Sequence, residues 1–168
     1  MKNLIIYSSL TGNTKKVAEA CHSISSDNWE IKDINESIDV LAYNKIVVAT
    51  WIDKGTADLK SLKLIKEIQN KKVGFIITLG AYADSNHAKD CITNVSKAFE
   101  EGNNQIISHF ICQGAVDPKL INWMKNLPAD HPHAPNPERI KRWEIASLHP
   151  NKEDFENAQI WFNEIINY

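Results

Sequence analysis

Short apolar runs alternate along this chain with stretches of helical periodicity, and that alternation limits the fold more than any other feature. "NLIIY" (3–7), "KIVVAT" (45–50), "KVGFIITLG" (72–80) and "QIISHFIC" (105–112) are dominated by apolar residues, which suits strands buried on both faces. "WEIKDI" (29–34) sets Trp29, Ile31 and Asp33 against polar neighbours and reads as an outer strand. Between these runs, residues 14–25 place Val17, Ala18, Cys21 and Ile24 on one helical stripe. Residues 58–69 do the same with Leu59, Leu62, Ile65 and Ile68, and residues 85–99 with Ala88, Cys91, Ile92, Val95 and Phe99. Residues 117–126 and 152–166 read as further helices, the last carrying Phe155, Ala158, Phe162 and Ile165. Strands that alternate with helices predict βαβ units, hence an α/β fold with a mostly parallel sheet of five strands.

One stretch breaks the rhythm. Residues 127–150, "LPADHPHAPNPERIKRWEIASLHP", hold five of the six prolines and three of the six histidines. Pro137 followed by Glu138 opens a short helix that stops before Pro150. Its expected role is to cover the sheet with Ile140, Trp143 and Leu148. The apolar helix that follows needs a core, so 127–150 reads as an insertion, and the 168 residues read as one domain. His131, His133 and His149 raise a metal reading, but no acid–cysteine set completes a tetrahedral site. Loop and cap roles, a lid, or a surface for a partner are the other readings.

Charge is even along the chain: residues 1–57 carry 6 Lys/Arg and 7 Asp/Glu, and residues 58–168 carry 13 and 14. Neither half points to nucleic acid or a membrane surface as partner. Cys21, Cys91 and Cys112 stand alone in apolar surroundings, as small buried thiols do. "MKNLIIYSS" turns polar too early for a secretory signal, and no apolar run approaches a membrane span, so a cytoplasmic setting is expected.

The chemistry is concentrated where the first strand meets the first helix. Ser9, Thr11, Gly12, Asn13 and Thr14 form S-x-T-G-N-T. In a parallel sheet, ligands bind at the carboxyl ends of strands. A helix start offers unpaired N–H groups and the positive end of a dipole, and the hydroxyls and amide here add neutral donors suited to a phosphate. Simple helix capping is the plainer reading. G-x-G-x-x-G and G-x-x-x-x-G-K-[ST] are absent, which counts against a dinucleotide Rossmann domain and a nucleoside triphosphatase. Paired acids after the first strand, which a response-regulator receiver needs, are absent too.

With S-x-T-G-N-T at that place in a five-strand α/β chain, the sequence resembles the flavodoxins over residues 1 to about 126. The resemblance implies a three-layer sandwich with strand order 2-1-3-4-5. It also implies FMN as cofactor, its phosphate in the first turn and its ring across the tips of strands one, three and four. Thr50-Trp51-Ile52-Asp53-Lys54-Gly55 would then lie after strand three, with Trp51 stacked on the flavin. In the family a peptide of this loop commonly flips its carbonyl toward flavin N5 on one-electron reduction. The matching position here is Ile52 where glycine would flip most easily, and Gly55 is the other candidate. Leu79-Gly80-Ala81-Tyr82 would run along the pyrimidine edge. Tyr82 is the natural second stacker and His87 its rival, while Asp84-Ser85 also reads as a helix N-cap. Asp53 and Asp84, offset by Lys54, imply a less extreme low potential than in strongly acidic flavodoxins. The segment 127–150 resembles that of short flavodoxin-like proteins, some of which accompany larger reductases.

Two functions follow. The first is an FMN electron carrier, monomer or weak dimer, passing electrons between a reductase and an acceptor enzyme. The second is an NAD(P)H- or quinone-dependent FMN reductase that uses 127–150 as a lid.

Overall fold

The computed structural model describes residues 2–168. Lys2–Tyr7 (β1), Trp29–Asp33 (β2), Tyr43–Asp53 (β3), Lys72–Leu79 (β5) and Gln105–Gln113 (β6) form a parallel sheet in the order β2-β1-β3-β5-β6. Counting only the parallel strands, this is the expected 2-1-3-4-5. A two-residue strand, Thr56–Ala57 (β4), folds back antiparallel on the end of β3, with Ile52 opposite Ala57 and Asp53 opposite Thr56. The helices are Asn13–His22 (α1), Leu59–Glu67 (α2), Asn86–Glu100 (α3), Pro118–Lys125 (α4), Pro137–Ala146 (α5) and Lys152–Asn167 (α6).

The strands are apolar because both their faces are covered. Leu4, Ile6, Ile46, Val48, Phe75 and Ile77 pack against Leu64 and Ile65 of α2 and Ala88, Val95 and Phe99 of α3. Ile5, Val47, Ala49 and Ile76, one residue out of step, pack against Val17, Ala18 and Cys21 of α1 and Ala158, Trp161, Phe162 and Ile165 of α6. Phe75, Phe99 and Phe162 are fully buried, and each contributes roughly 1.5–3 kcal/mol over an exposed position. All three cysteines are free and buried.

The helical stripes depart from expectation at three places. α1 ends at His22, so Ile24 falls beyond the helix and is half out of the core. In α2, Ile65 is buried as expected, with Leu62 packed against the core and Ile68 buried just past the helix end, but Ser61 and Leu64 are buried too and Leu59 is 64% exposed. Asp58 caps α2 by accepting the N–H groups of Lys60 and Ser61, and its Oδ2 also accepts the Ser61 hydroxyl. α5 buries Trp143 and Ala146 but leaves Ile140 39% exposed, and Leu148, just beyond its end, is 69% exposed.

After β6 the chain forms α4 and α5 beside the β5–α3 loop and then returns to the sheet. The carbonyl of His149 accepts the N–H of Ala115, and Asn151 and Asp154 form a capping box that starts α6. Among the described residues no helix is long and apolar enough to cross a membrane.

Candidate functional site

β1 ends in two serines with different duties. The Ser8 hydroxyl donates to Asp58 Oδ1 at 2.9 Å and is buried. The Ser9 hydroxyl accepts the Gly12 N–H at 3.1 Å and so closes the turn. Gly12 then adopts φ 99°, a left-handed conformation that costs a residue with a side chain far more. This lets α1 begin at Asn13, with Lys16 N–H donating to the Gly12 carbonyl at 3.1 Å. No side chain caps α1, and its first turn carries no acid. α2 to α6 are each capped by a side chain: Asp58, Ser85, Asp117, Asn136 and Asn151. The first N–H groups of α1 and its positive dipole end are therefore open to an anion.

They open into a cleft of about 140 Å³. One wall is the first turn, with Ser9, Leu10, Thr11, Asn13 and Thr14. Trp51 and Ile52 of β3 form the second wall, and Thr78, Leu79 and Gly80 at the tip of β5 form the floor. Gly114–Asp117 and Leu120, from the end of β6 into α4, close the far side. Two of the turn's polar side chains are already engaged. The Thr14 and Thr78 hydroxyls share a 2.8 Å hydrogen bond, which leaves one hydroxyl proton between them free. Asn13 Nδ2 donates to the Ala115 carbonyl at 2.9 Å and lies 3.4 Å from the Thr11 hydroxyl, tying the turn to the loop after β6. Ser9 and Thr11 keep their hydroxyl protons available. Gly80 is required by close approach: a Cβ there would stand 2.6 Å from Val116 Cγ2.

Several expected site residues sit elsewhere. Thr50 lies beneath the cleft, fully buried, its hydroxyl donating to Asp58 Oδ2 at 2.9 Å. Thr50 to Asp53 belong to β3, not to a loop. The turn is Lys54-Gly55, both at positive φ (50° and 80°), as a two-residue hairpin demands. Asp53, Lys54 and Gly55 therefore stay out of the cleft lining, and the Gly55 carbonyl is taken by Asn94 Nδ2 at 2.9 Å. The Trp51 carbonyl accepts the Asp58 N–H at 3.1 Å, so the Trp51–Ile52 peptide is pinned. Ala81, Tyr82 and His87 line a second cavity that shares Gly80 with the first.

Sequence reasoning missed the whole loop after β6. The signal was present: "QGAVDP" (113–118) puts a glycine at a strand tip and an Asp-Pro helix start behind it. Asp117 is the one charged side chain lining the cleft, and it caps α4 through the Lys119 N–H. Neither buried thiol near the sheet is a nucleophile: burial pushes Cys21 up to about 12 and raises Cys112 as well.

An open parallel sheet, helices on both faces, and a cleft at the strand tips facing an uncapped helix start define a doubly wound α/β protein with a candidate ligand cleft at its topological switch point. Within that class the chain belongs to the flavodoxin domain family, whose model matches residues 4–163. It is 31% identical to the flavodoxin-like domain-containing protein BilS of Clostridioides difficile, over 99% of this chain and 97% of that protein. In three dimensions it is similar to oxidised flavodoxin 1 of Bacillus cereus, at 15% identity and a TM-score of 0.64, covering 100% and 99% of the two chains. A Fusobacterium nucleatum flavodoxin, solved bound to flavin mononucleotide, gives a TM-score of 0.62 at 13% identity, with 99% and 98% covered.

Proposed function

We propose that the chain binds FMN in the cleft and serves as an electron carrier between a reductase and an acceptor enzyme. The open start of α1, alone among six helices in lacking a side-chain cap, carries this reading. The donor set fits the group. Free N–H groups of the first turn and the hydroxyls of Ser9 and Thr11 suit a phosphate without any Lys or Arg. Thr14, through the proton it shares with Thr78, adds one more donor. Trp51 offers a flat face, and Gly80 with Leu79 offers backbone along the ring's polar edge. Bound FMN supplies one- and two-electron exchange.

The chain's own residues then bind, orient and shield. The Asn13 side chain holds the loop after β6 against the turn, while its backbone N–H stays among the free donors at the helix start. Tyr82 and His87 face the second cavity. The pinned Trp51–Ile52 peptide resists reorientation, since turning it would break the carbonyl's bond to the Asp58 N–H. The charge set by Asp53 and Lys54 lies away from the cleft, which leaves Asp117 as the acid that bears on bound flavin.

The test is a visible spectrum of the FMN-loaded protein under anaerobic conditions, first with NADPH and NADH and then with a flavodoxin reductase. The carrier reading expects one FMN per chain and bleaching only after the reductase is added. Rapid bleaching by the nucleotide alone identifies a reductase instead, and a protein that stays colourless with FMN sinks both.

A further inference from the structure

The inward face of α5 carries cations where a covering helix normally carries aliphatics. Arg139, Arg142, Trp143 and Ala146 share that face, while Ile140 points outward. Arg139 has a structural duty. Its guanidinium donates to the carbonyls of Pro132, at 3.1 Å, and of Ala134, and so clamps the proline-rich loop to the helix. Arg142 has none. It is half-buried, yet it joins none of the ion pairs among the described residues, not even with Glu138 one turn before it.

Arg142 faces a cavity of about 440 Å³ between the start of α3, α4 and α5. Its chargeable lining is all basic: His87, His133, Arg139 and Arg142, with no Asp or Glu. Tyr82 and Trp143 line it beside them. A half-buried guanidinium among other bases, in a chain of net charge −2, is poorly placed unless an anion joins it. The volume lies in the range of small-molecule sites, which are mostly apolar with a few convergent polar groups. The cavity shares Gly80, Val116 and Leu120 with the first cleft.

We propose that this cavity is a second ligand site, adjoining the first, for an organic anion with a flat conjugated body. The anionic group meets Arg142, and the body lies along Tyr82 and Trp143. A guanidinium offers paired donors matched to a carboxylate or a phosphate. Aromatic carboxylates and nicotinamide nucleotides both carry this chemistry.

The test is isothermal titration of the whole chain, FMN-free and FMN-loaded, with 2-naphthoate, its uncharged isostere 2-naphthamide, and NADPH. The FMN-free titration is independent of whether the first cleft takes flavin. The expected result is one-to-one binding of at least one anion to both forms, with amide-proton NMR shifts centred on Tyr82, Arg142 and Trp143. Arg142→Gln should weaken that anion at least about tenfold, the scale of one lost charged hydrogen bond. If 2-naphthoate is the anion that binds, 2-naphthamide should bind more weakly by a similar factor, and the ligand is a carboxylate. Binding of NADPH alone makes it a nucleotide. Arg142→Lys, which keeps the charge but loses the fork, should retain part of the affinity. Failure of both anions to bind, unchanged affinity in Arg142→Gln, or NMR shifts centred elsewhere overturns the proposal. Displacement of the bound anion by FMN also overturns it, because the cavity would then belong to the flavin's own site.

Discussion

The starts of α1 and α2 stand next to each other at the strand tips and are built in opposite ways. At α2, Asp58 is buried and saturated: its two oxygens accept from Ser8, Thr50, Ser61 and the N–H groups of Lys60 and Ser61. At α1 no carboxylate or hydroxyl caps the helix; Ser9 bends the chain by accepting the Gly12 N–H and keeps its own hydroxyl proton free. One residue separates Ser8, which completes the saturated site, from Ser9, which borders the open one. A helix start whose donors are filled from within stabilises the fold. A start left open at a strand tip is available to a ligand's negative charge. The two regions therefore divide stability and binding between them, and substitutions can separate the two.

The largest effect is expected at the saturated site. Asp58→Ala strips three buried hydroxyls of their acceptor and removes the α2 cap, so stability in urea unfolding of the FMN-free protein should fall by about 3–5 kcal/mol. If the loss is under about 1 kcal/mol, Asp58 is not the keystone described.

Next is Thr11→Asp, which places an acid at the open start. FMN affinity should drop by at least about 2 kcal/mol from repulsion of the doubly charged phosphate and loss of the hydroxyl. The same change should stabilise the FMN-free protein by about 0.5 kcal/mol, through the helix dipole. Titration of FMN fluorescence, paired with urea unfolding, reads both. A variant that loses stability and affinity together would erase the contrast.

The two ends of α1 give a third, pH-dependent test. Cys21, at the closed end, is buried, and its Sγ lies 3.6 Å from the Ala158 carbonyl. Burial raises its thiol from 9.0 to about 12, so as pH rises the unfolded chain gives up this proton first. Stability should therefore be full below pH 9 and fall above it, by up to about 1.4 kcal/mol per pH unit for this one group. Cys21→Ala should flatten that slope and leave FMN binding at pH 7 unchanged. An unaltered slope would contradict the assignment.

The smallest effect belongs to the acid of the cleft. Asp117→Asn keeps an α4 cap while removing one charge. Loss of about 1 kcal/mol of repulsion, at ~30 mV per ~1.4 kcal/mol for two electrons, should raise the one-electron potential of bound flavin by about 40–50 mV. Spectroelectrochemistry at low salt measures it, and an unchanged potential would place Asp117 out of reach of the ring.

What the chain discloses before folding follows the same divide. Buried strands and the amphipathic stripe of α3 were legible, because local periodicity and burial coincide there. The first turn was legible because its residues are contiguous and chemically specific. Asp58 was not, since its partners Ser8, Thr50 and Ser61 come from three separate elements and form no local pattern. The β3–β4 hairpin was read as loop because β4 is only two residues long and Lys54 adopts positive φ without being glycine. On α5 only Trp143 of the expected apolar set turned inward, and its neighbours on that face, Arg139 and Arg142, are not apolar, so spacing alone did not disclose it. The loop after β6 was overlooked although it stands at the tip of a parallel strand, where ligands gather.

The central claim is that an uncapped helix start grips a phosphate ester, and the direct test compares FMN with riboflavin, which differs only in lacking that phosphate. The account predicts that FMN binds at least about 100-fold more tightly, the worth of roughly two hydrogen bonds to a charged group. Equal affinity for the two would show that the open start of α1 holds nothing.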